Sequence, residues 1–573
     1  MRDVRLERNL SADPAKTAIA WPLEDSGARE RGRPGGPLAR LRATMAAPRM
    51  PRQTERPAGS VRRGRRGRYG RQTATALLVL STLGAAAHLL LADRILLEGA
   101  AGKQTHTAMI ARNLYRGRGS VLRPIVDDIG KPGYFVKEVP LLPATAALAY
   151  HAVGGVDERI GRLLSAAGWL AGVPILAAIL GRALPPAPLV VAATWWIVAP
   201  LGFTYARAFM TDATMVTFSL GALLALLRLR EKAGTSRVAA CGAAFGATLL
   251  LKPHAVFWLG PAACVLLLAR ARGEPVRPAP RWIVTAACAI ATGSAIAAAW
   301  YLHAAAVHRQ YPAPGATGLQ GWFSAAALLE PALYLELLRQ LVLMVFTPLG
   351  LLIAGAGIVL DRRRLGIVEL ALLAWGGGVI AQCLVFDTRL FDDAARGTEY
   401  YQLAMIPVAA LLIGRGTHAV ARRLAPSRPV AATTIILLLL TILAAAQIRP
   451  ALAVPERYAS IARDCAIVQQ KTRPHDEVFV LADRGGTILY SCDRRGTTFV
   501  PARAVSRVFA HGDNVAGTRQ IADALDRAAY VFVPFPDLLG EDSRWLAMFE
   551  QSFDRVEIPD TEARLYRRRP GPR

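Results

Sequence analysis

Apolar runs of 15 to 24 residues, rich in Ala, Leu, Val and Ile, recur from about Thr75 to Ile448. That is the length a helix needs to cross a hydrocarbon layer of ~30 Å. The pattern predicts an α-helical polytopic membrane protein and excludes a soluble enzyme, a disordered polymer and a disulfide-stapled secreted domain. Eleven windows qualify as spans, near residues 74–92, 160–181, 187–205, 210–227, 238–251, 255–269, 282–300, 337–360, 366–385, 401–414 and 429–448.

Charge tests that count. The chain holds 69 basic and 42 acidic residues, a formal net charge of +27. On one face of a folded domain such a surplus would point to nucleic acid. Here it follows the connections instead. The segment 1–73 holds 18 basic and 7 acidic residues, and the loops with Arg182, Arg228 to Arg237, Arg270 to Arg281, Arg362 to Arg364 and Arg415 to Arg428 carry most of the remaining net charge. With eleven spans all of these fall on one side, which the positive-inside rule makes cytoplasmic. The expected location is the cytoplasmic (inner) membrane, with the N-terminus inside and the C-terminus outside. No nucleic-acid partner is expected.

The alternation requires one apolar stretch to stay out of the membrane core. Leu141 to Val153 has about 13 residues and a proline near its start, so it reads as an interfacial helix on the outer surface. Three regions follow: a disordered basic tail, 1–73; a transmembrane domain, 74–448, with a first outer loop at 93–159; and a small extracytoplasmic α/β domain, 449–573. In the last, short β runs (Glu477 to Leu481, Thr487 to Tyr490, Thr498 to Val500, Tyr530 to Pro534, Arg555 to Ile558) alternate with helical patterns (Tyr458 to Lys471, Gly517 to Ala528, Ser543 to Phe553). Cys465 and Cys492 lie there, where a disulfide is chemically permitted. Cys241, Cys264, Cys288 and Cys383 fall in spans.

The outer side collects ionisable residues that a simple anchor would not need. The first outer loop supplies Lys103, Arg112, Asp127, Asp128, Lys137 and Glu138; later turns add Arg207, Asp212, Lys252, His254, Tyr400 and Tyr401. A charge within a span costs about 2.5 to 3.5 kcal/mol at the bilayer centre, so Asp212 and Lys252 should face a protein cavity or the interface. Each residue also has a structural explanation. Asp127 and Asp128 could form a solvated turn before Gly130 and Pro132, Glu138 could serve the start of the interfacial helix, Lys252 could snorkel, and Tyr400 and Tyr401 could be interface aromatics.

Taken in order, these segments resemble the membrane glycosyltransferases of the GT-C superfamily, in the branch of the protein O-mannosyltransferases and the lipid A aminoarabinose transferase (glycosyltransferase family 39-like). The resemblance is carried by Gln104 to Leu114, Asp127-Asp128, Glu138-Val139-Pro140-Leu141, Gly161-Arg162-Leu163, Tyr205-Ala206-Arg207 with Asp212, Leu251-Lys252-Pro253, Trp300-Tyr301, and Tyr400 to Leu403 with Pro407. It covers roughly residues 75 to 415. It implies transfer of a sugar from a polyprenyl-phosphate-linked donor to an acceptor hydroxyl on the outer face, with the membrane, the sugar lipid and an acceptor glycan, lipid or protein as partners. One departure stands out. Members usually carry an acidic residue near the start of the first motif, where this chain has Lys103, Gln104 and His106.

For such a reaction Glu138, Asp128 and Asp127 are the candidate catalytic carboxylates, Glu138 favoured. Lys252, Arg207, Arg112 and Lys137 are candidates for the donor phosphate, and Asp212, Tyr400, Tyr401 and His106 for orienting groups or substrate. Direct displacement would invert the anomeric centre. No cofactor is certain, and a divalent metal bridging carboxylates and phosphate stays open. The alternatives are a secondary transporter or lipid flippase, or an inactive relative that binds glycolipid.

Overall fold

The computed structural model describes residues 59–93, 96, 101–268, 280–312, 325–361, 365–385, 399–454, 456–482, 484–499, 523–539, 549–559 and 561–570. Residues 1–58 of the basic tail and the loops 269–279 and 362–364 lie outside them. Helix α1 (Gly59–Leu90) starts inside the segment expected to be disordered. The first long loop then holds α2 (Ala101–Tyr115) and α3 (Leu141–Val153). As its sequence predicts, α3 is a 13-residue helix opening after Pro140, and Gly154 ends it in the left-handed conformation, φ 79°.

Each of the eleven windows coincides with helical elements. Among the described residues seven spans are long and apolar enough to cross a membrane. They are the part of α1 from Gly70; the continuous α4 (Glu158–Leu170) and α5 (Gly172–Leu180); α8 (Thr211–Glu231); α11 (Pro280–Gln310); α14 (Ile367–Val385); α15 (Ile406–Leu424), with the turn before it; and α16 (Pro429–Ala451). Two windows are bent instead. α6 (Pro186–Val198) meets α7 (Pro200–Ala206) at 52°, and the helix begun by α12 (Pro331–Gln340) meets α13 (Pro348–Leu360) at 89°. Proline explains both breaks, because it has no N–H for the helical ladder and its ring crowds the preceding turn. Thr347 then caps α13 by accepting from the Gly350 amide. The remaining windows are the shorter α9 (Thr235–Leu251) and α10 (Val256–Leu268), divided at Lys252 and Pro253 as expected.

Small residues let several helices touch along their backbones. A Cβ on Gly293 of α11 would lie 2.2 Å from the Gly242 carbonyl of α9, and one on Gly357 of α13 would lie 2.4 Å from Gly416 Cα of α15. Close helix approach through glycine is a common way to gain packing where no water is excluded.

The C-terminal region forms a five-stranded sheet in the order β2-β1-β3-β5-β4, from β1 (Glu477–Leu481), β2 (Arg495–Phe499), β3 (Tyr530–Val533), β4 (Phe553–Val556) and β5 (Arg564–Arg568). β1 is parallel to β2 and β3; β5 is antiparallel to β3 and β4. α17 (Ile461–Lys471) fits its sequence pattern. The run Thr487 to Tyr490 is a correction: it lies in α18 (Gly485–Ser491), not in a strand. A short apolar run cannot be assigned by periodicity, and this one is buried. β5 was not among the expected strands. The helical patterns Gly517 to Ala528 and Ser543 to Phe553 fall partly outside the described residues. Cys465 of α17 and Cys492 beside α18 are disulfide-bonded.

The sheet is joined to the first long loop. Ile129 bridges Thr497 of β2, the Gly130 amide donates to the Gly496 carbonyl at 2.7 Å, and the Gly496 amide donates to the Asp127 carbonyl at 2.8 Å. The loop thereby lies along the outside edge of β2, where a strand would otherwise present unpaired backbone groups.

Candidate functional site

Two clusters of ionisable side chains flank α2. In the first, Lys103 reaches Asp212 at the start of α8, with Nζ 2.8 Å from Oδ2 and 2.9 Å from Oδ1. Lys252, in the break between α9 and α10, lies 2.9 Å from Glu138 Oε1 and 3.6 Å from Asp212 Oδ1. Thr211 donates to the same Glu138 oxygen at 3.2 Å. The Lys103 ammonium also stands 3.9 Å above the Tyr400 ring, a favourable cation–π position. Tyr400 in turn packs on Tyr205 and Tyr401, and Tyr401 faces His254. Asp212 and Lys252 are buried, as the cost of charge in a membrane demands.

The second cluster is smaller. His106 Nε2 and Asp128 Oδ2 share a hydrogen at 2.7 Å, and the His106 ring stands edge-on to Phe135. Asp128 is 7 % exposed, and its other oxygen, Oδ1, has no hydrogen-bond partner among the described residues. Lys103 and His106 are three residues apart on α2 and so project from one face, about 5–6 Å between Cβ atoms. Between the clusters sits Lys137, whose ammonium lies 4.6 Å from the Phe135 ring centre and whose carbonyl accepts from the Trp300 indole at 2.9 Å.

The electrostatics follow from this crowding. Burial above all lowers the pKa of Lys137 to about 8, aided by the charges of Lys252 and Lys103 and opposed by Glu138 and Asp128. Burial pushes the Glu138 carboxyl upward, but the charges of Lys252 and Lys103 and the hydrogen bond from Lys252 outweigh it. The group is held well below the usual carboxylate range. A divalent metal would need several free donors. Among the described residues no three His, Cys, Asp or Glu side chains converge on one point, and the carboxylates of Glu138 and Asp212 already face ammonium groups.

Of the residues singled out from sequence, the structure thus brings Glu138, Asp212, Lys252, Lys137, Tyr400 and Tyr401 together and sets His106 and Asp128 beside them. Three lie elsewhere. Arg112 bonds Asp127 at 3.0 Å, Asp493 at 3.0 Å and the Tyr490 carbonyl at 2.9 Å, with its guanidinium 4.2 Å from the Tyr490 ring. Asp127 also accepts from Asn113 at 3.1 Å and faces Arg495 at 3.3 Å. This pair fastens the loop to the C-terminal domain. Arg207 is buried and donates to the Leu91 carbonyl after α1 at 2.9 Å.

Sequence reasoning missed the contribution of the C-terminal domain. Thr487 Oγ1 lies 3.0 Å from Thr105 Oγ1 on α2, and a Cβ on Gly486 would lie 2.4 Å from Asp128 Oδ2. The Gly485-Gly486 pair was the available signal. Gly486→Ala is therefore expected to displace the Asp128 carboxylate and lower activity roughly tenfold, with little change in thermal stability. Turnover and a thermal-shift curve on the same preparation check it; unchanged turnover would mean that Asp128 has room to move.

Residues 137–300 match the family described as dolichyl-phosphate-mannose-protein mannosyltransferase. Among solved structures, the chain is similar to ArnT from Cupriavidus metallidurans in the apo state, with 13% sequence identity and a TM-score of 0.59 over 86% of this chain and 98% of that one. The same protein bound to undecaprenyl phosphate gives 13% identity and a TM-score of 0.57 over the same shares. No curated protein matches the chain at a significant level.

Proposed function

We propose that this chain, a multi-span membrane protein of the GT-C fold, is a glycosyltransferase that moves a sugar from a polyprenyl-phosphate-linked donor to an acceptor hydroxyl. The observation that carries the reading is the single face of α2, which holds an ammonium–carboxylate cluster at Lys103 and a carboxylate–imidazole pair at His106. One cluster suits a leaving phosphate, the other an incoming hydroxyl.

The chemistry then runs as a single displacement. The acceptor oxygen bonds to the anomeric carbon as the bond from that carbon to the phosphate oxygen breaks, which inverts the centre. Lys252, with Lys137 close by, neutralises the charge left on the phosphate in a partly dry site, where such pairing is stronger than in water. The acceptor proton goes to a carboxylate. Glu138 is engaged by Lys252 and Thr211 and weakly basic, so it serves as the counter-ion that holds Lys252. Among the described residues Asp128 Oδ1 has no partner while His106 fixes Oδ2, which makes Asp128 the better-placed base.

The site lies on the outer face in this reading, with the basic loops in the cytoplasm. The charge alternation supports that orientation, and so does the Cys465–Cys492 disulfide, since disulfides persist in oxidising compartments. The undecaprenyl phosphate bound by the structural neighbour supports the donor class. The decisive experiment supplies the purified protein with radiolabelled polyprenyl-phosphate sugars and a panel of acceptors. Transfer with inversion is expected, and no transfer from any donor would overturn the reading.

A pH dependence follows. Lys137 is charged below its pKa of about 8 and neutral above it, so donor affinity should weaken as pH rises through that value. The donor KM measured from pH 6.5 to about 9.5 checks this, and Lys137→Met should flatten the rise.

A further inference from the structure

We propose that Lys103 is a second ligand of the donor phosphate, acting with Lys252 as a two-point clamp. The proposal rests on the glycosyl-transfer reading above and adds a residue that neither the sequence motifs nor the comparisons assign.

The geometry is that of two cations mounted on one carboxylate. Asp212 Oδ1 lies 2.9 Å from the Lys103 ammonium and 3.6 Å from that of Lys252, so no more than the sum of those distances separates the two nitrogens. Two ammonium groups so placed can each donate to a different oxygen of one tetrahedral phosphate. Both are fixed from behind: Lys252 by Glu138, and Lys103 by Asp212 and the Tyr400 ring. Lys103 keeps 24 % of its side chain exposed, against 8 % for Lys252. Each ammonium has three donors, so Lys103 can keep Asp212 and still take a phosphate oxygen.

The test uses the full chain in detergent and compares binding of polyprenyl phosphate with binding of the corresponding polyprenol, which has the same chain and no phosphate. Lys103→Gln should weaken polyprenyl phosphate about tenfold or more, the loss of one charge-assisted hydrogen bond, and leave polyprenol binding unchanged. Lys103→Arg should restore most of the phosphate affinity. Equal losses for both lipids, or no loss for either, would overturn the role of Lys103. Wild-type protein that does not distinguish phosphate from alcohol would instead overturn the reading of the whole site, so the two failures are separable.

Discussion

Asp128→Asn is expected to reduce sugar transfer by about 10² to 10⁴-fold, the usual contribution of a positioned general base. The substitution keeps the shape of the side chain and its contact with His106 while removing the charge that accepts a proton. Donor binding should change little, because the groups that hold the phosphate belong to the other cluster. The measurement is single-turnover transfer beside donor affinity in the same preparation. Glu138→Gln supplies the contrast: it should affect donor affinity more than the chemical step, since Glu138 acts through Lys252. If Asp128→Asn turns over normally while Glu138→Gln does not, the base is Glu138.

The second large effect is at Lys252. Lys252→Met removes a buried cation that lies 2.9 Å from Glu138 and 3.6 Å from Asp212. Breaking a buried pair from one side typically costs about 3 to 5 kcal/mol, because the other charge is left without compensation. Transfer should also fall, by about 10² to 10³-fold, as for loss of a group that stabilises developing negative charge. The double variant Lys252→Met/Glu138→Gln separates the two consequences: thermal stability should recover toward wild type and transfer should not. Recovery of both would mean that Lys252 serves the fold alone.

Much of this arrangement can be read from the chain. Helix spacing and the sidedness of arginine foretell the spans, including the division at Lys252 and Pro253, because lipid permits few alternatives. The bends at Pro200 and Pro348 were written in the proline positions, though length alone made each pair look like one straight span. Asp212, Lys252 and Glu138 were visible as charges where charge is costly. Lys103 was visible too, as one of the outer-loop charges and as a departure from the pattern the chain resembles, but its pairing with Asp212 depends on two segments 109 residues apart. The anchoring role of the Arg112–Asp127 pair could not be read because its further partners, Tyr490, Asp493 and Arg495, lie on the C-terminal domain. For the same reason the Gly485-Gly486 pair did not by itself reveal that Gly486 lies close to Asp128.

The pairing of the loop with β2 makes the spacing of two neighbouring aspartates a gauge. Asp127 and Asp128 lie in a bend just before the bridge from Ile129 to Thr497, and their side chains part there. Asp127 accordingly reaches back to Arg112 and Arg495 while Asp128 turns to His106. Moving the loop by one residue along β2 would carry both carboxylates away from these partners, without altering a single amino acid at the site. A one-residue insertion or deletion between Ile125 and Asp127 should therefore be tolerated far less well than most substitutions there, and the five-stranded sheet acts as the ruler against which the proposed base is set.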